Sequence, residues 1–181
     1  MRKFVVSAVA LLLFFGLTAE SCETETKSTA DSGSEEVSDE SAKPAEPAGI
    51  GDSITLKDLD ENEYKITVTK LVDPVTGGEF DEPQSGNRFI GVKLTIKSLS
   101  DGTYNDSPSN GAIVIDTRDE QWDPTILTEG NCKLPTNVKI APGAQRKICI
   151  PFEIGDRRKP KTFQFALDSG FGDENGEWSL R

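Results

Sequence analysis

The chain has 181 residues, three cysteines, no histidine and a formal net charge of −11. That length allows one domain of ordinary size with tails. An acidic chain of this kind is expected to be repelled by nucleic acid, whose binding needs basic patches. The missing histidine removes the commonest general base, the commonest zinc ligand and any Ser-His or Cys-His nucleophile pair.

Residues 1–21 read as an export signal. Arg2 and Lys3 give a positive start, and the apolar run Phe4–Leu17 has signal-peptide length, too short to remain as a bilayer-spanning helix. Ala19-Glu20-Ser21 then precedes Cys22. This resembles a bacterial lipoprotein signal, in which a small-residue box precedes a cysteine that receives diacylglycerol and becomes the mature N-terminus. Ala19 stands where Leu is usual, and Glu20 is an unusual occupant. Ala19 and Ser21 also fit the small-x-small cleavage site of an ordinary secreted protein. Lipidation of Cys22 is therefore the first expectation, with plain secretion beside it.

Residues 22–49 are the expected lipidated N-terminus and linker. Glu23–Gly49 carries eight acidic residues against two lysines, and Val37 is its one large aliphatic. Such a segment cannot bury enough apolar surface to offset its ordering entropy and is expected to be disordered. As a flexible coil it would span about 30 Å, a tether that lifts a domain off a membrane.

From residue 50 to residue 181 the composition is that of a folded domain. Ser53–Lys57 is a short strand, Asp58–Glu63 a polar turn, and Tyr64–Val72 a strand whose alternation slips at Lys70-Leu71, as at a bulge. Asp73–Ser85, with Pro74, Gly77, Gly78 and Pro83, is a long loop. Gly86–Ser98 holds the longest clean alternation: Ile90, Val92, Leu94 and Ile96 face one way, Lys93, Thr95 and Lys97 the other. That period of two marks a half-buried central strand. Asp101–Asn110 is loop with a short edge strand near Tyr104. Ala112–Asp116 is a strand with Glu120–Trp122 as its returning partner, and Thr128–Lys139 is loop again. After the Ala141-Pro142-Gly143 turn, Ala144–Ile154 is a strand with Ile148, Ile150, Phe152 and Ile154 on one face. Pro151 cannot donate to a ladder, so one side of this strand is an edge there. Gly155–Pro160 is a basic turn, Lys161–Leu167 a strand with Phe163, Phe165 and Leu167 inward, and Glu177–Leu180 a last short strand.

No segment after the signal has a helical apolar period. Short strands separated by turn signals predict an all-β fold, an immunoglobulin-like antiparallel sandwich of about seven to nine strands.

Two motifs carry a family resemblance. Gly86-Asn87-Arg88-Phe89-Ile90-Gly91-Val92-Lys93-Leu94-Thr95-Ile96 resembles the glycine-aromatic-x-x-Val-x-Val pattern of a domain-of-unknown-function family common in Gram-positive lipoproteins. Ile140-Ala141-Pro142-Gly143 followed by Ile148–Ile154 resembles its Pro-Gly turn and the strand ending near Phe-Glu-Val. The resemblance runs from about Gly51 to Leu167, with Ser98 where that family usually has Asn. It implies a telokin-like immunoglobulin fold, an extracytoplasmic location and no transferable active site. Secreted mycobacterial antigens with an immunoglobulin-like sandwich are a related group.

The cysteine count points to one bridge. If Cys22 is lipidated, Cys132 and Cys149 remain as a pair in a compartment where disulfides persist. Cys149 lies on the face opposite Ile148 and Ile150, so the bridge belongs on the outer face or rim. Asp58-Leu59-Asp60-Glu61-Asn62 and Asp173–Glu177 place oxygens as calcium loops do but lack the EF-hand glycine and terminal glutamate, and solvated turns are the simpler reading. Paired carboxylates could in principle serve a glycosidase, but on so acidic a chain they arise by chance. Arg146-Lys147 and Arg157-Arg158-Lys159 could meet an anionic partner, against a plain role in discouraging edge pairing. Trp122 and Trp178 could line a groove, but core or rim packing is commoner. No catalytic residue, cofactor or metal is expected. The expected partners are the membrane, through the lipid, and a protein or envelope ligand, with a structural or adhesive spacer as the alternative.

Overall fold

The computed structural model describes residues 47–181; the expected signal, Cys22 and nearly all of the linker lie outside them. Ten strands run in chain order: β1 (Ser53–Lys57), β2 (Glu63–Val72), β3 (Asn87–Ser98), β4 (Tyr104–Asp106), β5 (Ala112–Asp116), β6 (Gln121–Trp122), β7 (Val138–Ile140), β8 (Gln145–Gly155), β9 (Pro160–Ala166) and β10 (Asn175–Ser179). The first sheet is ordered β1-β2-β3-β8, the second β10-β9-β5-β6, and β4 pairs with β7 in a separate ribbon. The described pairings within these sheets are antiparallel. The fold is an antiparallel β-sandwich. Its ten strands exceed the expected seven to nine because β7 lies inside what reads as loop, and the β4–β7 ribbon stands beside the two main sheets.

The alternation on β3 behaves as the pleat requires. Ile90, Val92, Leu94 and Ile96 are buried in the inter-sheet core with Ile150, Phe152, Phe163 and Phe165. Phe152 of the first sheet meets Phe163 of the second edge-to-face, with centroids 6.4 Å apart. Trp178 is fully buried on the same core, 6.0 Å from Phe163, and its Nε1 donates to the Asp52 carbonyl at 3.2 Å. Ile148 departs from expectation: it is only half-buried, packed at the margin of the core. It sits on β8, the outermost strand of its sheet, so one flank has no neighbouring strand.

The slip in β2 is a bulge. Register shifts between Val68 and Lys70, which sets Lys70 opposite Lys93 and Leu71 opposite Val92. The extra residue, Thr69, reverses the parity, so Leu71 turns to the core and Lys70 to the outer face. The domain is tied in slightly ahead of residue 50: Ala48 bridges to Trp178, and its carbonyl accepts the Ser179 amide.

Candidate functional site: a cleft beside the edge strand

The outward side chains of β3 are Phe89, Gly91, Lys93, Thr95 and Lys97. At the Phe89 end, two loops cover this face, residues 73–86 and 123–137. Val75, Phe89, Leu127 and Cys132 form a second buried cluster there, with Val72 and Cys149 against it. Cys132 is bonded to Cys149, Cα atoms 5.1 Å apart, which fastens the second loop to β8. The bridge lies on the outer face of the sheet. Asp81 ties the two loops together, accepting from the Gly78 amide at 3.0 Å, the Glu129 amide at 3.3 Å and the Thr128 amide at 3.4 Å. Those backbone bonds, led by Gly78, hold its carboxyl below the ordinary aspartate value.

A cleft of about 490 Å³ opens between this loop and β8. Lys93, Lys133 and Lys147 border it, and Leu134, Pro135 and Ile148 supply its apolar wall. The backbone beside it is unpaired. Antiparallel residues alternate in which neighbour they bond, and β3 bonds β8 through its even-numbered residues, as the Ser98 amide to the Ala144 carbonyl shows. The odd-numbered residues of β8 therefore turn N–H and C=O outward. Pro151 is one of them, so its missing N–H costs no ladder bond, and its outward carbonyl takes the Thr125 amide at 2.9 Å. At Lys147 and Cys149 no such partner is found among the described residues.

The outer face is basic on a chain of net charge −11. Lys65 stands opposite Lys97, and Lys70 opposite Lys93. Like charges directly opposite one another destabilise a sheet. Among the described residues, Lys65, Lys70, Lys93, Lys97, Lys133 and Lys147 form no ion pair.

The other candidates are engaged locally. The Asp58 carboxylate is spent on its turn, accepting from the amides of Asp60 and Asn62 and from the Tyr64 hydroxyl. Glu174 accepts the Lys57 amide, and Glu177 accepts from Gln164. Among the described residues no cluster of acidic or thiol groups could hold a metal ion. Arg158 faces the buried Asp116 at 3.3 Å, pairs with Glu120 and covers the Trp122 ring, whose Nε1 donates to Asp116 at 3.2 Å. Arg146 reaches the Lys139 carbonyl at 3.5 Å, and Arg157 borders a separate recess of about 450 Å³ with Arg118 and Arg158. The two tryptophans thus serve the core and the rim. Sequence reasoning reached Lys147, Cys132 and Cys149 but missed Lys133, Leu134 and Pro135 as partners of Lys93. Those residues come from separate parts of the chain, and the one available signal was the cysteine that anchors their loop.

No protein-family model and no curated protein matches the chain. Solved structures share its fold at low identity. A secreted protein of Mycobacterium tuberculosis, MPT63, aligns with a TM-score of 0.53 at 14% identity, covering 75% of this chain and 98% of that one. The yjhA protein of Bacillus subtilis gives 0.53 at 12%, covering 74% and 99%. A "putative lipoprotein" of Bacillus subtilis, ycdA, gives 0.53 at 10%, covering 70% of this chain but 37% of its own length. These likenesses define the class as a β-sandwich.

Proposed function

We propose that this chain is an extracytoplasmic lipoprotein, anchored through Cys22, whose sandwich binds a protein or envelope ligand in the cleft beside β8 and catalyses nothing. The observation that carries this reading is the meeting of an unpaired strand edge, an apolar wall and three lysines in one cleft held by a disulfide. Concave apolar sites with a few convergent polar groups are where ligands bind. The signal and the Ala19–Cys22 box support the location, as do the fold relatives described as secreted or lipoprotein. The Gly86–Ile96 motif and the Ile140–Gly143 and Ile148–Ile154 pair support a place among the telokin-like domains of Gram-positive lipoproteins.

Two experiments test it. A Cys22→Ala chain should leave the membrane fraction and appear in the medium; an unchanged distribution, with no lipid mass on the mature N-terminus, contradicts the anchor. The full chain should capture a saturable partner from surface extracts, and Leu134→Glu should abolish capture. No saturable partner would favour the spacer.

A further inference from the structure

We propose that the ligand of this cleft is an extended acidic peptide that adds to the first sheet as a strand along β8, between Lys147 and Cys149. This rests on the reading of the cleft as a binding site and names its ligand class.

Three observations converge. The outward N–H and C=O groups of Lys147 and Cys149 lack partners among the described residues, and strand addition would satisfy all four. The same edge already accepts an added segment further along: Pro124 bridges to Phe152, and the Thr125 amide binds the Pro151 carbonyl. The side-chain pattern then sets the chemistry. A residue opposite Lys147 lies on the outer face, within reach of Lys93 and Lys133, so an acid there makes an opposite-charge cross-strand pair. The next residue turns to the other face, beside the half-buried Ile148, where an apolar side chain fits. The preferred sequence alternates acidic and apolar residues. A second copy pairing along the same edge would set Lys147 of each copy near the other, a like-charge arrangement that opposes it.

The probe is a short synthetic peptide of alternating Glu and Val, titrated against the full chain by calorimetry. Binding should be saturable and should weaken as salt rises. Lys147→Gln should weaken it roughly twofold to fivefold. Lys147→Pro should weaken it further, because it also removes an outward amide; the ladder with β3 survives, as it does at Pro151. N-methylating the peptide backbone should cost more than about tenfold while leaving its charge intact. Equal affinity for the N-methylated peptide, or for one of alternating Lys and Val, overturns the proposal. So does self-association of a Lys147→Val chain together with no peptide binding by the wild type, which would make Lys147 a guard of the edge. If the peptide fails while surface-extract capture persists and is lost in Leu134→Glu, the ligand class is wrong and the binding site stands. If both fail, the site itself is wrong.

Discussion

Gly91 lies beneath the sulfurs of the Cys132–Cys149 bridge: a Cβ at position 91 would stand 2.5 Å from the Cys132 sulfur and 2.9 Å from that of Cys149. The bridge therefore crosses the outer face at the one β3 position without a side chain. Gly91→Ala should destabilise the domain by about 1–3 kcal/mol through overpacking. In a chain carrying Cys132→Ala and Cys149→Ala the same change should cost about half that or less, because both sulfurs are gone. Urea unfolding of the four chains checks this, and an unchanged penalty would place the clash elsewhere.

The bridge itself spans 17 positions. Removing it by Cys132→Ala and Cys149→Ala should cost roughly 3 kcal/mol by the loop-entropy argument. The inter-sheet core does not use the bridge, so Trp178 fluorescence should stay that of a buried ring while the outer cluster loosens. Thiol titration of the wild type should find neither cysteine reactive.

Phe163→Ala should be the most damaging single truncation. The ring is fully buried and packs on Phe152, Phe165 and Trp178 at centroid distances of 6.4, 6.2 and 6.0 Å. A loss of about 3–5 kcal/mol is expected, a large share of the stability of an ordinary domain. Denaturant midpoints measure it.

The two tyrosines predict an alkaline limit. Burial pushes the Tyr64 phenol up to about 12, helped by the charge and hydrogen bond of Asp58. Burial, then the Asp106 carboxylate, raises Tyr104 further. Both phenols stay protonated in the folded state after the unfolded ones, near pH 10, begin to ionise. Their contribution is fully present below about pH 10 and is lost as pH rises toward 12. Unfolding free energies measured from about pH 9 to about pH 11 should fall, and absorbance titration should find little phenolate at pH 10 in the native chain.

Period-two patterns were legible wherever a strand had one buried face. β3, β8 and β9 announced themselves through Ile90–Ile96, Ile148–Ile154 and Phe163–Leu167. β7 was not legible, because Val138–Ile140 is three residues long and defined by its pairing with Tyr104–Asp106. The cleft was half legible. Parity of the cysteines pointed to the bridge, and Pro151 pointed to the edge. Lys93, Lys133 and Leu134 could not be joined from sequence, since only the folded loop brings them to one place. The alternation put Lys93 and Lys97 on the outer side of β3, but only the register sets Lys70 and Lys65 against them.

The most direct test of the central claim, that β8 offers an open edge to a ligand, is amide hydrogen exchange along that strand. In the free chain, the amides of Lys147 and Cys149 should exchange fast, while those of Ile148 and Ile150, bonded to β3, should be protected. Adding the acidic peptide should protect Lys147 and Cys149 as well. Protection of Lys147 and Cys149 equal to that of Ile148 in the free chain would mean that the edge is already covered, and would contradict the account.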